Sequence, residues 1–277
     1  MRSAFRNSAL AAFSGVAVAM LAAAPATAAT TLRVCADPNN LPYSKKDGSG
    51  FENKIAEILA DQMNAKLEYY WMPQRRGFLR ETIKAGHCDV VMGVPSAMRT
   101  LETTRPYYRS SYVFLQRKGD PTISSYDDPA LKKLKIGVQL IGEDGLNTPP
   151  VHDLGRRGIV DNIEGYMVYG DPESDTPLSP VVDAVADGDV DVSIVWGPIA
   201  GYYAKAEPVP LKLTPILIDP SQPVLQMAYG ISIGTRHADL DLHGEVSQAL
   251  RERSEEIDAV LADYGVPRID KPQASGK

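Results

Sequence analysis

Ser96 and Arg99 stand three residues apart in the turn behind Asp89-Val90-Val91-Met92-Gly93-Val94-Pro95, where they offer a hydroxyl and a guanidinium to whatever enters that turn. The apolar run begins just after Cys88 and breaks at Gly93 and Pro95, the pattern of a buried strand feeding a ligand loop. On that reading the stretch is the floor of a binding cleft. An ordinary strand followed by a surface arginine is equally open on these residues alone. The acids that could serve catalysis are Glu52, Glu143 and Asp144. Surface carboxylates are the default for such residues, and no nucleophile and base stand at usable spacing, so the chain is expected not to be an enzyme. His87, His152, His237 and His243 form no ligand cluster, and neither cysteine has zinc-ligand spacing to a second Cys or His. No metal and no cofactor are expected.

The chain opens on Met1-Arg2 and Arg6, an apolar segment from Ala9 to Ala24, and Ala26-Thr27-Ala28. A basic start, a short apolar core and a small-x-small end make a secretory signal peptide, residues 1–28, too short and wrongly flanked for a membrane span. With no second apolar run of membrane length, the mature protein is expected to be soluble and exported, most simply to the periplasm. A length of 277 residues permits one large domain or two ordinary ones. A net charge of −6 argues against a nucleic-acid partner and is compatible with a cationic protein partner. Cys35 and Cys88 are the only cysteines, which in an oxidising compartment points to one disulfide, with two buried thiols as the alternative.

Leu32 to Ala36 is a β-prone run. The turn-rich Asp37-Pro38-Asn39-Asn40-Leu41-Pro42-Tyr43 behind it places polar groups and an aromatic at a strand's carboxyl end, where open α/β sheets bind ligands. From Phe51 apolar residues recur at Ile55, Ile58 and Leu59, which predicts a helix with one buried stripe. Lys66 to Met72 is the next strand, and Pro73-Gln74-Arg75-Arg76-Gly77 turns into a helix with the stripe Phe78, Leu79, Thr82 and Ile83, ended at Gly86. With the strand before Ser96 the order is β-α-β-α-β, hence parallel strands covered by helices. Tyr107 to Gln116 is a further strand, and Arg117 to Pro121 reads as an interlobe crossing.

A second set follows: a strand at Leu134–Val138, a Gly- and Pro-rich loop, a helix at Pro180–Ala186, a strand from Asp191 to Trp196 and a helix-like Ile199–Ala204. Its plan repeats that of the first half without a fixed sequence period. Leu217 to Pro223 reads as the return crossing, Ala228–Gly234 as a strand, and one long helix runs from Asp239 to Tyr264. The expected architecture is α/β with two lobes. Residues 29–118 and 220–277 form the discontinuous first lobe and 119–219 the second, with hinge closure over the cleft between them.

The order of Leu32 to Phe51, the Trp71 strand, Gly93 to Arg99, Arg105-Pro106-Tyr107 and Asp191 to Tyr203 resembles the periplasmic solute-binding proteins of the amino-acid-binding type, over nearly the whole mature chain. Leu32 to Pro42, Gln74 to Phe78 and Thr103 to Phe114 resemble, more narrowly, the J-type accessory proteins of methanol oxidation. Those are associated with quinoprotein alcohol dehydrogenases, and the closer likeness is to the type accompanying lanthanide-dependent enzymes. The resemblance implies a two-lobe, type II periplasmic binding protein fold. In the wider family a Ser or Thr three residues before an arginine grips a ligand carboxylate, a spacing Ser96 and Arg99 keep, and Tyr43 lies where the family offers an aromatic wall. The other lobe departs. Gln139 to Gly145 replaces the family's Gly-Thr/Ser-Thr/Ser, and Trp196 stands where an Asp for a ligand ammonium is common.

The residues expected to face the cleft are Asp37, Asn39, Tyr43, Phe51, Glu52 and Trp71, joined by Arg75, Ser96, Arg99, Glu143 and Trp196. Bland readings stand beside them: Trp71 as core, Arg75 as a solvated arginine, Asp37 as a cap for backbone N–H groups. With half the amino-acid clamp replaced, the expected role is that of an accessory protein, a monomer, whose cleft engages a periplasmic methanol dehydrogenase through an exposed or unfolded segment of it. The competing reading is a transporter-linked receptor for a small polar or carboxylated solute.

Overall fold

Strand β1 (Thr30–Ala36) lies at the centre of the first lobe's parallel strands. It is followed by the short strands β2 (Asn39–Asn40) and β3 (Ser44–Lys45), helix α1 (Phe51–Gln62), β4 (Ala65–Trp71), α2 (Phe78–Glu81), β5 (Val90–Pro95) and β6 (Glu102–Thr103). The computed structural model describes residues 30–142, 147–217 and 225–271. The expected signal peptide, Glu143, most of the expected return crossing and the terminal residues from 272 lie outside the described residues.

β1 pairs in parallel with β4 on one side and β5 on the other. α1 covers this sheet with Phe51, Ile55 and Leu59, spaced by four residues and at most 1% exposed. Its entry is fixed by Asn53, whose Oδ1 accepts the N–H groups of Lys45 and Gly50 at 2.9 and 3.1 Å. Gly50 is required here, because a Cβ at that position would lie 2.1 Å from the Tyr43 carbonyl oxygen. Cys35 and Cys88 form a disulfide that ties β1 to the approach of β5.

β7 (Tyr108–Arg117) belongs to both lobes. Its first half, Tyr108 to Ser111, pairs antiparallel with β12 (Ala228–Thr235), and from Tyr112 onward it pairs with β10 (Val192–Trp196). The passage between the sheets therefore lies inside a strand, ahead of the composition break at 117–121. The second lobe comprises β8 (Ile136–Leu140), α3 (Pro149–Arg156), β9 (Ile163–Met167), α4 (Pro180–Asp187), β10, α5 (Gly197–Ala204) and β11 (Leu211–Pro215). β8 is parallel to both β9 and β10, and β11 runs antiparallel along β7. Alternate residues of the shared strands enter opposite cores. Val113, Leu115 and Val195 pack with α4 and α5, while Phe114, Val192 and Ile194 pack on the other face with Leu154 of α3.

After β12 the chain returns to the first lobe as α6 (Leu240–Glu252) and α7 (Ser254–Asp263), whose Val246, Leu250, Ile257 and Leu261 join Leu32 and Phe51 in one core. The single long helix expected from Asp239 is thus two helices. The break falls at Arg253 (φ −105°, ψ 19°), whose guanidinium is held by Glu256 and Asp61. The helix expected to reach Gly86 stops at Glu81. Thr82 leaves the helical region and its hydroxyl donates to the Phe78 carbonyl at 2.6 Å, so the following turns are wider. Helix α3 stands within the expected Gly- and Pro-rich loop, and strands β9 and β11 occupy stretches to which no element was assigned.

Candidate functional site

A cavity of about 830 Å³ opens between the lobes, within the range of ligand sites. Its floor is the end of β5, with Val91, Gly93 and Pro95. Gly93 holds φ +69°, and the space where its side chain would stand is filled by Glu52 Oε1, 2.2 Å from an ideal Cβ. Glu52 therefore lies beneath the floor. Burial pushes its carboxyl up to about 8. Phe51, fully buried, also lies below, as the core residue on which Tyr43 rests edge-on at 5.4 Å. Tyr43 itself lines the cavity, and burial raises its phenol well above the ordinary tyrosine range.

One wall is aromatic. Trp196 ends β10 directly opposite Tyr112 of β7, ring centroids 5.4 Å apart, and meets Tyr229 of β12 at 5.8 Å, both edge-on. Tyr112 and Tyr229 were not among the residues expected from sequence. Each stands in a β-prone run where an aromatic is ordinary, and only the strand pairing brings them to Trp196.

Loop residues at the strand ends fasten the lobes together. Asp37 lines the cavity, but its carboxylate serves the loops: Oδ1 accepts from the Asn39 N–H at 2.8 Å and Oδ2 from the Gln74 N–H at 2.5 Å. Asn39 reaches across, its Nδ2 donating to the carbonyls of Pro172 and Ser174 at 3.1 and 2.8 Å. Arg75 places its guanidinium 5.2 Å from the ring centroid of Tyr169 in the second lobe, a cation–π contact at the cavity's edge. Lys45 pairs with Asp175 at 3.4 Å, and the Tyr203 hydroxyl donates to the Leu41 carbonyl at 3.1 Å. The segment 169–175 thus lies over the 39–45 loop and closes one side of the cleft.

The two residues of the expected carboxylate grip stand beside the cavity without lining it. Ser96 Oγ is hydrogen-bonded to Ser232 Oγ at 2.7 Å, and the Ser96 N–H donates to the Gly230 carbonyl at 2.8 Å. Arg99 is exposed, and neither residue is among the described residues lining the cavity. Ala97 between them adopts φ +63°, and its N–H is held by Thr103 Oγ1 at 3.1 Å, so the turn is tied to β6 and lines the cavity through Met98 and Thr100 instead. Trp71 stacks on Tyr69 at 4.5 Å and packs against the first core, apart from the cavity. In the second lobe the buried Gln139 lines the cavity, its carbonyl accepting from the Thr148 hydroxyl at 2.7 Å. Among the described residues no cluster of three or more His, Cys, Asp or Glu is placed to hold a metal ion, and no helix is long and apolar enough to cross a membrane.

The profile of the bacterial extracellular solute-binding proteins, family 3, matches residues 32–265. Protein MoxJ of Paracoccus denitrificans is 34% identical over 265 residues, covering 91% of this chain and 95% of that protein. The crystal structure of the periplasmic binding protein XoxJ from Methylobacterium extorquens AM1 superposes with a TM-score of 0.71 at 37% identity, over 87% of this chain and all (100%) of that one. The crystal structure of MxaJ from Methlophaga aminisulfidivorans MPT gives a TM-score of 0.73 at 29% identity, over 86% and 100% of the two chains. With a matching profile over most of its length, a two-lobed type II binding fold and an interlobe cavity, the chain belongs to family 3 of the bacterial extracellular solute-binding proteins.

Proposed function

We propose that this protein is a periplasmic accessory protein of methanol oxidation, exported by the N-terminal signal peptide, which assists a quinone-dependent methanol dehydrogenase of the lanthanide type by holding a segment of it in the interlobe cleft. Support comes from its likeness to MoxJ, XoxJ and MxaJ together with the narrow sequence resemblance. The observation that carries the cleft's role is the exchange of chemistry within it. Neither the serine nor the arginine of the amino-acid clamp is among the described residues lining the cavity, whereas Trp196, Tyr112, Tyr229 and Tyr43 are. Rigid aromatic walls with a few polar edges suit a peptide segment carrying apolar side chains better than a free zwitterion. The test is co-purification of the dehydrogenase with the tagged full chain, in apo and metal-loaded states. Capture in either state supports the reading, and absence in both removes it.

A second reading, a transporter-linked receptor for a carboxylated solute, draws on the basic lip of the same cavity, where Arg75, Arg76, Arg80 and Lys84 stand. Thermal shift across amino acids and organic acids separates the two, because a tight small ligand raises the melting temperature by mass action.

A further inference from the structure

A second cavity, of about 710 Å³, lies in the first lobe between the 103–107 loop, α6 and the start of α7, and shares no lining residue with the cleft. Its wall carries four basic side chains, Arg105, Arg251, Arg268 and Lys271, against the single acid Asp258. That acid is already engaged: Arg268 donates to it at 2.8 Å and Lys271 pairs with it, while Arg268 also holds Asp270 at 2.7 Å. Arg105 and Arg251 have neither an ion-pair nor a hydrogen-bond partner for their side chains among the described residues. On a chain of net charge −6, two unpaired guanidiniums in one concavity are not a general background of positive charge.

The cavity is also polar where it need not be. His243 and Ser247 stand one turn apart on α6, both line it, and His243 Nε2 and Ser247 Oγ are buried atoms with no hydrogen-bond partner. Buried polar atoms in folded proteins are ordinarily satisfied, so an unsatisfied pair behind the cavity wall is an anomaly that a bound group would relieve once either side chain turned towards it. Leu250, Ile257 and Pro106 supply apolar surface beside them. Planar guanidiniums hold carboxylates through two parallel N–H···O bonds, and a serine hydroxyl can add a further donor.

We propose that this cavity is a second ligand site, separate from the interlobe cleft, for a small organic anion bearing two or more carboxylates. One carboxylate is taken by Arg105 and another by Arg251, with Ser247 and His243 beneath them. The proposal is independent of what the cleft holds.

The test is calorimetric titration and thermal shift of the full chain with citrate and malonate as polycarboxylate probes, and with acetate and inorganic phosphate as the single-anion comparison. Citrate or malonate should bind and raise the melting temperature. The Arg105→Ala/Arg251→Ala double variant should weaken that binding about tenfold or more. Because both side chains are exposed, the variant should melt as the wild type does in the absence of anion; should it misfold, the single variant Arg251→Gln, with a smaller loss, takes its place. The proposal is overturned if neither polycarboxylate binds at millimolar concentration, if the arginine variants bind as well as wild type, or if acetate or phosphate binds as tightly as citrate.

Discussion

Trp196 and Tyr112 are register partners in the antiparallel pairing of β10 with β7, their rings 5.4 Å apart, at the point where β7 leaves one sheet for the other. One residue earlier, Ser111 still pairs with Ala228 of β12 in the first lobe. The aromatic wall of the cleft is therefore built on the strand through which the lobes are joined. A ligand against Trp196 would therefore press on a ring packed edge-on against that shared strand.

The chain has two tryptophans, and the second, Trp71, lies outside the cavity on Tyr69. Trp71→Phe should keep an aromatic on Tyr69 and leave Trp196 as the single indole reporter. Its emission should shift when a bound segment or solute displaces water from the cleft, measured in a fluorescence titration. Binding seen by calorimetry with an unchanged spectrum would show that the ligand does not contact the wall.

Glu52 predicts a pH dependence. Its carboxyl has a folded value of about 8 against an ordinary 4.5, so between those values the folded state holds a proton that the unfolded state has released. Stability contributed at Glu52 accordingly falls as pH rises from about 4.5 to about 8 and is level above that. Glu52→Gln should match wild type near pH 5 and exceed it at alkaline pH by a few kcal/mol, on the order of 1.4 kcal/mol for each displaced unit. Denaturant unfolding of both proteins across that range checks this, and parallel curves would refute it.

How far the sequence led is visible in particular residues. The α1 stripe and the parallel core of the first lobe follow from period and order, since Phe51, Ile55 and Leu59 could be buried in no other way on a helix. The pairing of Cys35 with Cys88 needed only their number and compartment. The site was less legible, because its members meet through register and loop contact. Nothing in the spacing of Asn39 and Ser174, or of Arg75 and Tyr169, announces their contact across the cleft. Arg99 shows the opposite case, a motif retained in spacing whose arginine is not among the described residues lining the cavity although Met98 and Thr100 on either side of it are.

Arg99→Ala should consequently leave both folding and cleft binding nearly unchanged, within about 0.5 kcal/mol, as for other exposed side chains. Thermal melting and a binding titration check it. Loss of tight binding of a free amino acid in this variant would restore the clamp reading.

The disulfide joins two buried residues separated by 53 positions, 2% and 0% exposed. By the chain-entropy relation, a loop of that length should stabilise the fold by up to about 4 kcal/mol. Cys35→Ala/Cys88→Ala should therefore lower the melting temperature by several degrees, while reductant should have little effect on the variant. A variant that melts with wild type would contradict this.

Whether the aromatic cleft holds the partner is measured by capture of the methanol dehydrogenase by the wild-type chain and by Trp196→Ala, compared on equal amounts of folded protein. Wild type should retain the dehydrogenase, and Trp196→Ala should lose most of it while melting within a few degrees of wild type. Equal capture by the two proteins would contradict it.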